Sequence, residues 1–272
     1  SVFCVLSVVM LCGCKSRKTE ELDSGGKELL LYCGAGIRPP ADELVTAFES
    51  KYGVKIAVDY AGSEVLLSKI KLTGHGDLYM PGDKHYVEQA AKEGMILSQR
   101  SVCYWIPTIL VQKGNPKEIY SLKDLLRPGI KLGLGDASAC AIGRTSQQIL
   151  AKNKILWEDI KNNVVYQSLT VNELGMQIQA KALDAVIVWD AMARYYVQYG
   201  DQIPIALEQN IISTVDICVL KFTKHRELAE KFVDFVSSEL GQEIFRKHKY
   251  STEPPADDLR LPISNRKSKI EN

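Results

Sequence analysis

Four short segments of this 272-residue chain place glycines and small or hydroxyl-bearing residues where an apolar run gives way to a helical pattern. They are Cys33-Gly34-Ala35-Gly36, Ala61-Gly62-Ser63, Ala139-Cys140-Ala141-Ile142-Gly143-Arg144 and Thr170-Val171-Asn172. A helix that begins at such a corner points unpaired N–H groups and the positive end of its dipole outward. Glycine lets a ligand approach the backbone closely, and Ser63 adds a hydroxyl donor. The chemistry on offer is the capture of an anion by hydrogen-bond donors. Taken singly, each corner reads better as a plain turn and cap; the recurrence of four is what points to a ligand. The formal net charge is +1, from 34 basic and 33 acidic residues. Such a chain has no global field to draw it toward nucleic acid, which is not expected as a partner, so an anion must be held by local geometry.

Other reactive residues offer competing chemistry. Cys33 follows a strand and precedes a helix, as an activated thiol would, but none of the four histidines, His75, His85, His225 and His248, lies in any of the corners to serve it. A Cys-dependent enzyme is therefore the weaker reading, and no catalysis or cofactor is expected. Of the seven cysteines, Cys33, Cys103, Cys140 and Cys218 sit in or beside strand-like apolar runs, where cysteine acts as a small buried hydrophobe. No CxxC pair exists and the histidines lack metal-ligand spacing. Tyr195, Tyr196 and Asp190 are the nearest approach to a ferric-ion site. Asp77 reads as a residue that fixes a strand end, because a carboxylate beside an anion is costly.

The elements that must position the corners alternate between strand and helix from Glu28 onward, the pattern of an α/β protein with largely parallel sheets. Strands are expected at Glu28–Cys33, Val54–Tyr60, 76–80, 131–135, 164–168, 185–189 and 214–220, with one long strand at 101–112 marking a composition shift. Helices follow most of them, including 143–153, 172–181, 191–199 and a closing pair at 225–239 and 241–248. A first lobe of residues 28–104 plus 213–250 is thus interrupted by a second at 105–212, the plan of hinge-closing binding proteins. Two corners fall in each lobe and would face each other across the cleft, at the carboxyl ends of the strands. The polar tail, 251–272, is expected to fray.

The amino-terminal stretch 1–14 is apolar, too short to span a bilayer and of the right length for an export signal. Leu11-Cys12-Gly13-Cys14 resembles a lipobox, making Cys14 the expected lipidation site, with 15–27 as a polar tether. An ordinary cleaved signal with incidental cysteines is the alternative.

The run LLLYCGAGIRPPADELVTAFESKYGVKIAVDYAGSEVLLSKIKLTGHGDLYMPGD, with GLGDASACAIGRTSQQIL, TVNELGMQIQAKALDAVIVWDA and AEKFVDFVSSELGQEIFRKHKYS, resembles the molybdate/tungstate-binding proteins of ABC importers from about Glu28 to Ser251. The resemblance implies a two-lobed periplasmic binding protein fold of type II with a hinge and an inter-lobe cleft. It implies capture of molybdate or tungstate without catalysis, and delivery to a permease and its ATPase. An exported, lipid-anchored monomer at the periplasmic or outer membrane face is expected. Sulfate, phosphate and ferric ion are the alternative ligands.

Carried over residue by residue, Ser63 matches the family's second-corner serine, while Ile142 and Val171 match backbone donors of the third and fourth corners. The first-corner serine is Gly36 here, beside Ala35, and the strand-end tyrosine is Trp189, followed by Asp190. Arg144 either offsets the ligand's charge or pairs with Asp136 or Asp190. A fully ionised oxyanion offers only acceptors, so a dry site made of donors matches it and a protonated phosphate does not.

Overall fold

The computed structural model describes residues 28–255; the expected leader, Cys14, the tether and residues 256–272 lie outside the described residues. The first strand, β1 (Glu28–Gly34), is buried along most of its length, as a parallel strand covered on both faces must be. Arg38-Pro39-Pro40 opens helix α1 (Arg38–Tyr52), where a proline costs no hydrogen bond, and Gly53 closes it at φ 67°. Strand β2 (Lys55–Ala61), helix α2 (Ser63–Thr73), strand β3 (Leu78–Met80) and helix α3 (Lys84–Lys92) repeat the unit. Strand β4 (Ile96–Trp105) then carries the chain out of the first sheet.

The expected single strand over 101–112 is broken at Ile106: β4 belongs to one sheet and β5 (Pro107–Gln112) to another. The second sheet adds β6 (Leu132–Gly135), β7 (Val164–Ser168), β8 (Ala185–Trp189) and β9 (Gly200–Pro204), with helices α4 (Ala141–Lys152), α5 (Trp157–Ile160), α6 (Val171–Gln179) and α7 (Asp190–Tyr195). The chain returns through β10 (Ser213–Leu220), α8 (Arg226–Ser237) and α9 (Glu239–Lys247). Strand β9 was not expected; the helix read over 191–199 stops at Tyr195, and a short polar strand with few apolar residues follows.

Strand order is β2-β1-β3-β10-β4 in one sheet and β7-β6-β8-β5-β9 in the other. The sheets are mixed rather than largely parallel. The three strands on one side of each are parallel, whereas β10 runs antiparallel to β3 and β4, and β5 antiparallel to β8 and β9. Each order reverses direction at its central parallel strand, and the carboxyl ends beside that switch point are where an open α/β sheet binds ligands. The returning helix α8 seals the first lobe: Phe48 of α1 meets Phe232 at 5.0 Å and Phe235 at 5.4 Å, both edge-on.

The two crossings are tied together. Asn210, on the segment returning from β9 to β10, is buried and donates to the Pro107 carbonyl at 2.8 Å. The start of the tail is ordered by pairing rather than frayed: Tyr104 N–H donates to the Ser251 carbonyl at 2.7 Å, and Tyr250 is buried against Trp105 and Phe245. Asp77 sits at the amino end of β3, accepting from Leu30 N–H at 2.8 Å and Thr223 Oγ1 at 2.5 Å, which fixes the strand as expected.

Candidate functional site

A cavity of about 290 Å³, mouth included, lies between the sheets at the carboxyl ends of their parallel strands. The first lobe contributes Ala35 and Gly36 after β1, Gly62 and Ser63 after β2, and Gly82 after β3. The second contributes Cys140, Ala141 and Ile142 after β6, Thr170 and Val171 after β7, and Trp189 at the end of β8; Trp105 completes the wall from the end of β4. All four sequence corners therefore meet in one place. The lining carries no charged side chain.

The helices α2, α4 and α6 begin at Ser63, Ala141 and Val171, so the amides that open them, which lack intrahelical partners, border this space. Ser63 is 3% exposed and doubly held: its Oγ accepts from Gly82 N–H at 2.9 Å, and its carbonyl accepts from the Tyr79 hydroxyl at 2.9 Å. With a lone pair occupied by Gly82, the hydroxyl proton is left to donate into the cavity. The carbonyl of Gly36 accepts from the buried Tyr250 hydroxyl, which pins the first corner.

The lobes abut. A methyl group at Gly36 would fall 2.7 Å from Val171 Cγ1, and one at Gly62 would fall 2.3 Å from the Ala139 carbonyl oxygen. A serine at position 36 would therefore displace Val171, which gives a steric reason for glycine where the family resemblance has serine. Asn172 Nδ2 donates across the gap to the Ala35 carbonyl at 3.3 Å.

The two charged candidates are not in the lining. Arg144 pairs with Asp83 (Nη2 to Oδ2, 2.7 Å), not with Asp136 or Asp190, because α4 carries it across the lobe interface to the amino end of α3. Asp83 is itself held there as the α3 cap, accepting from His85 N–H at 2.8 Å. Asp136 instead accepts from Ser138, whose hydrogen bonds hold its carboxyl below the usual range. Asp190 is 1% exposed behind Trp189, paired with Arg194 at 2.9 Å and accepting from Ser251 Oγ at 3.1 Å; burial raises its carboxyl.

The competing chemistries find no assembled site. Tyr195 reaches His248 Nδ1 at 2.8 Å and Tyr196 the Asn172 carbonyl at 3.5 Å, so these tyrosines and Asp190 do not share a ligand position. Among the described residues no group of three or more His, Cys, Asp or Glu could hold a metal. Cys33, Cys103, Cys140 and Cys218 are free and buried. Burial pushes the Cys33 thiol well up, and Cys33 does not line the cavity; Cys140 does, with its thiol pushed up to about 11. A larger hollow, about 760 Å³, lies at the opposite end of the first sheet around His75, Asp77, Lys224 and His225. Its one buried carboxylate, Asp77, is already paired with Leu30 N–H and Thr223 Oγ1.

Sequence reading missed Gly82, Trp105 and Tyr250. Pro81-Gly82-Asp83 carried a usable signal, a turn followed by an N-cap residue. The other two enter through long-range stacking, which no local pattern reports: Trp105 lies 5.0 Å from Trp189, nearly parallel at 18°, and 5.0 Å from Tyr250. Among the described residues no helix is long and apolar enough to cross a membrane.

Comparison with known proteins agrees with this architecture. The molybdate-binding protein ModA of Mycobacterium tuberculosis is 23% identical over 243 residues, covering 87% of this chain and 90% of its own. The sulfate-binding protein SubI of the same species superposes with a TM-score of 0.72 at 17% identity, covering 88% of this chain and 91% of its own. The periplasmic binding protein AfuA of Actinobacillus pleuropneumoniae, solved with fructose-6-phosphate, gives 0.73 at 17%, covering 88% and 90%. The family model for bacterial extracellular solute-binding proteins matches residues 29–251. With the two-lobed type II fold now in view, the chain belongs to the bacterial extracellular solute-binding protein family.

Proposed function

We propose that this protein is the capture component of an ABC importer and that its ligand is a bare tetrahedral oxyanion, molybdate or tungstate. The observation that carries the reading is the small inter-lobe cavity, lined by helix-start amides and the Ser63 hydroxyl without a charged side chain. Such a lining offers donors to every oxygen of a dianion and leaves none of its own carboxylates to repel it. A sugar phosphate needs room for its organic part beside the anion, and the close approach of Gly62 to Ala139 and of Gly36 to Val171 narrows the space between the lobes. Sulfate shares the charge and shape, so the size of the closed cavity must separate it from molybdate.

In this mechanism one lobe captures the oxyanion, the hinge at Ile106 and 205–212 closes, and donors of both lobes replace the hydration shell. The closed form is then recognised by a permease driven by its ATPase. The protein acts as a monomer and no bond is made or broken. Lipidation at Cys14 would hold it at the outer face of the membrane, with 15–27 as the tether.

Thermal unfolding with a panel of anions tests the reading. A ligand at 100 times its Kd adds about 2.7 kcal/mol to stability. Molybdate and tungstate are expected to raise Tm while phosphate and fructose-6-phosphate leave it unchanged. A rise with the sugar phosphate alone would overturn it.

A further inference from the structure

Trp105 is the last residue of β4, where the chain leaves the first sheet, and it is fully buried. Its indole Nε1 has no hydrogen-bond partner among the described residues. Buried donors of this kind are nearly always paired, and an indole N–H can only donate. The ring borders the cavity: Nε1 lies 3.9 Å from the position a methyl on Gly82 would take, and the far edge, Cη2, 4.0 Å from the equivalent position on Gly36. The face of the ring is fixed from both sides of the hinge by Trp189 of the second lobe and Tyr250 of the returning chain.

We propose that the Trp105 indole N–H donates directly to the bound oxyanion and is a specificity-determining residue of the site. The proposal rests on the oxyanion reading above. A neutral donor that cannot accept adds to a lining already made of donors, so a ligand oxygen that carries hydrogen would meet donor against donor at this wall. The stack on Trp189 joins the two lobes as they close, so the N–H is held in place around the captured ligand.

The chain has three tryptophans, Trp105, Trp157 and Trp189, so ¹⁵N-indole labelling of the full chain gives three signals that can be followed on titration with molybdate, tungstate and sulfate. The signal absent from Trp105→Phe identifies Trp105; if that variant does not fold, Trp157→Phe and Trp189→Phe assign it by elimination. The Trp105 signal is expected to move downfield at saturation while that of the half-exposed Trp157 stays. Trp105→Phe, which keeps the aromatic ring, is expected to weaken oxyanion binding roughly 10- to 100-fold. An oxyanion that binds the wild type without moving the Trp105 signal, or with equal affinity for Trp105→Phe, overturns the role of Trp105 and leaves the oxyanion reading intact. A wild type that binds none of the three overturns both.

Discussion

Gly62→Ala isolates lobe closure from every other property of the site. Gly62 has φ −64° and ψ 147°, ordinary extended backbone that alanine adopts freely, so the first lobe has no reason to change. The added methyl would instead lie 2.3 Å from the Ala139 carbonyl oxygen and 2.9 Å from that of Leu169, both in the second lobe, where ordinary contact begins at 3.4 Å. The obstacle is backbone on both counts, so no side chain can swing aside. The lobes must part by about 1 Å at this corner. Hydrogen bonds from the second-lobe amides of Ile142 and Val171, near 2.9 Å when formed, would stretch past the useful limit of about 3.5 Å. Each hydrogen bond to a charged group contributes about 1.5–3 kcal/mol, so losing two removes about 3–6 kcal/mol, or two to four orders of magnitude in Kd. Isothermal titration with molybdate reads the loss, and the unliganded variant should unfold at the wild-type Tm. Wild-type affinity in a folded Gly62→Ala protein would refute the reasoning, since the closed contact could not then be part of the bound state.

Three further outcomes follow from the same geometry. Ser63→Ala removes a donor and orphans Gly82 N–H, and should weaken oxyanion binding by about 1–3 kcal/mol; unchanged titration would place Ser63 outside the site. Arg144→Met should weaken binding roughly 10- to 150-fold, because it leaves the Asp83 carboxylate, 4% exposed, unpaired only when the lobes are shut; a smaller unliganded Tm with unchanged Kd would make the pair a stability feature instead. For Cys140 the folded protein favours the protonated thiol, raised by burial to about 11. Its contribution to stability is complete below the ordinary thiol range and is lost as pH climbs through that range toward 11. Denaturant unfolding between pH 8 and 11 should show a shallower alkaline decline in Cys140→Ala than in the wild type, and equal declines would contradict the assignment.

What was legible in the sequence is what local chemistry encodes. The apolar run of β1 buried on both faces, the double proline opening α1 and the glycine closing it set those elements within a residue or two of where they lie. The four corners were legible for the same reason, since a glycine followed by a cap residue marks a strand-to-helix turn whatever lies across the cleft. Partnerships over distance were not. Arg144 could be seen to need a carboxylate, but Asp83, 61 residues away in the other lobe, becomes its partner only when two helix ends meet across the interface. Trp105 hid inside what read as one continuous strand, although Pro107, which cannot donate to a ladder and so opens a new strand, marked the break locally. Strand β9 escaped because its pairing with β5 comes from register along a neighbour and not from its own composition, Gly200-Asp201-Gln202-Ile203-Pro204.

The central claim is that a donor-only cleft between two lobes selects a bare tetrahedral dianion of the size of molybdate or tungstate. Isothermal titration of the protein with molybdate, tungstate, sulfate and phosphate in turn tests it most directly. One-to-one binding of molybdate or tungstate is expected, with sulfate and phosphate silent at the same concentrations. Silence from all four, or binding of phosphate alone, would contradict it.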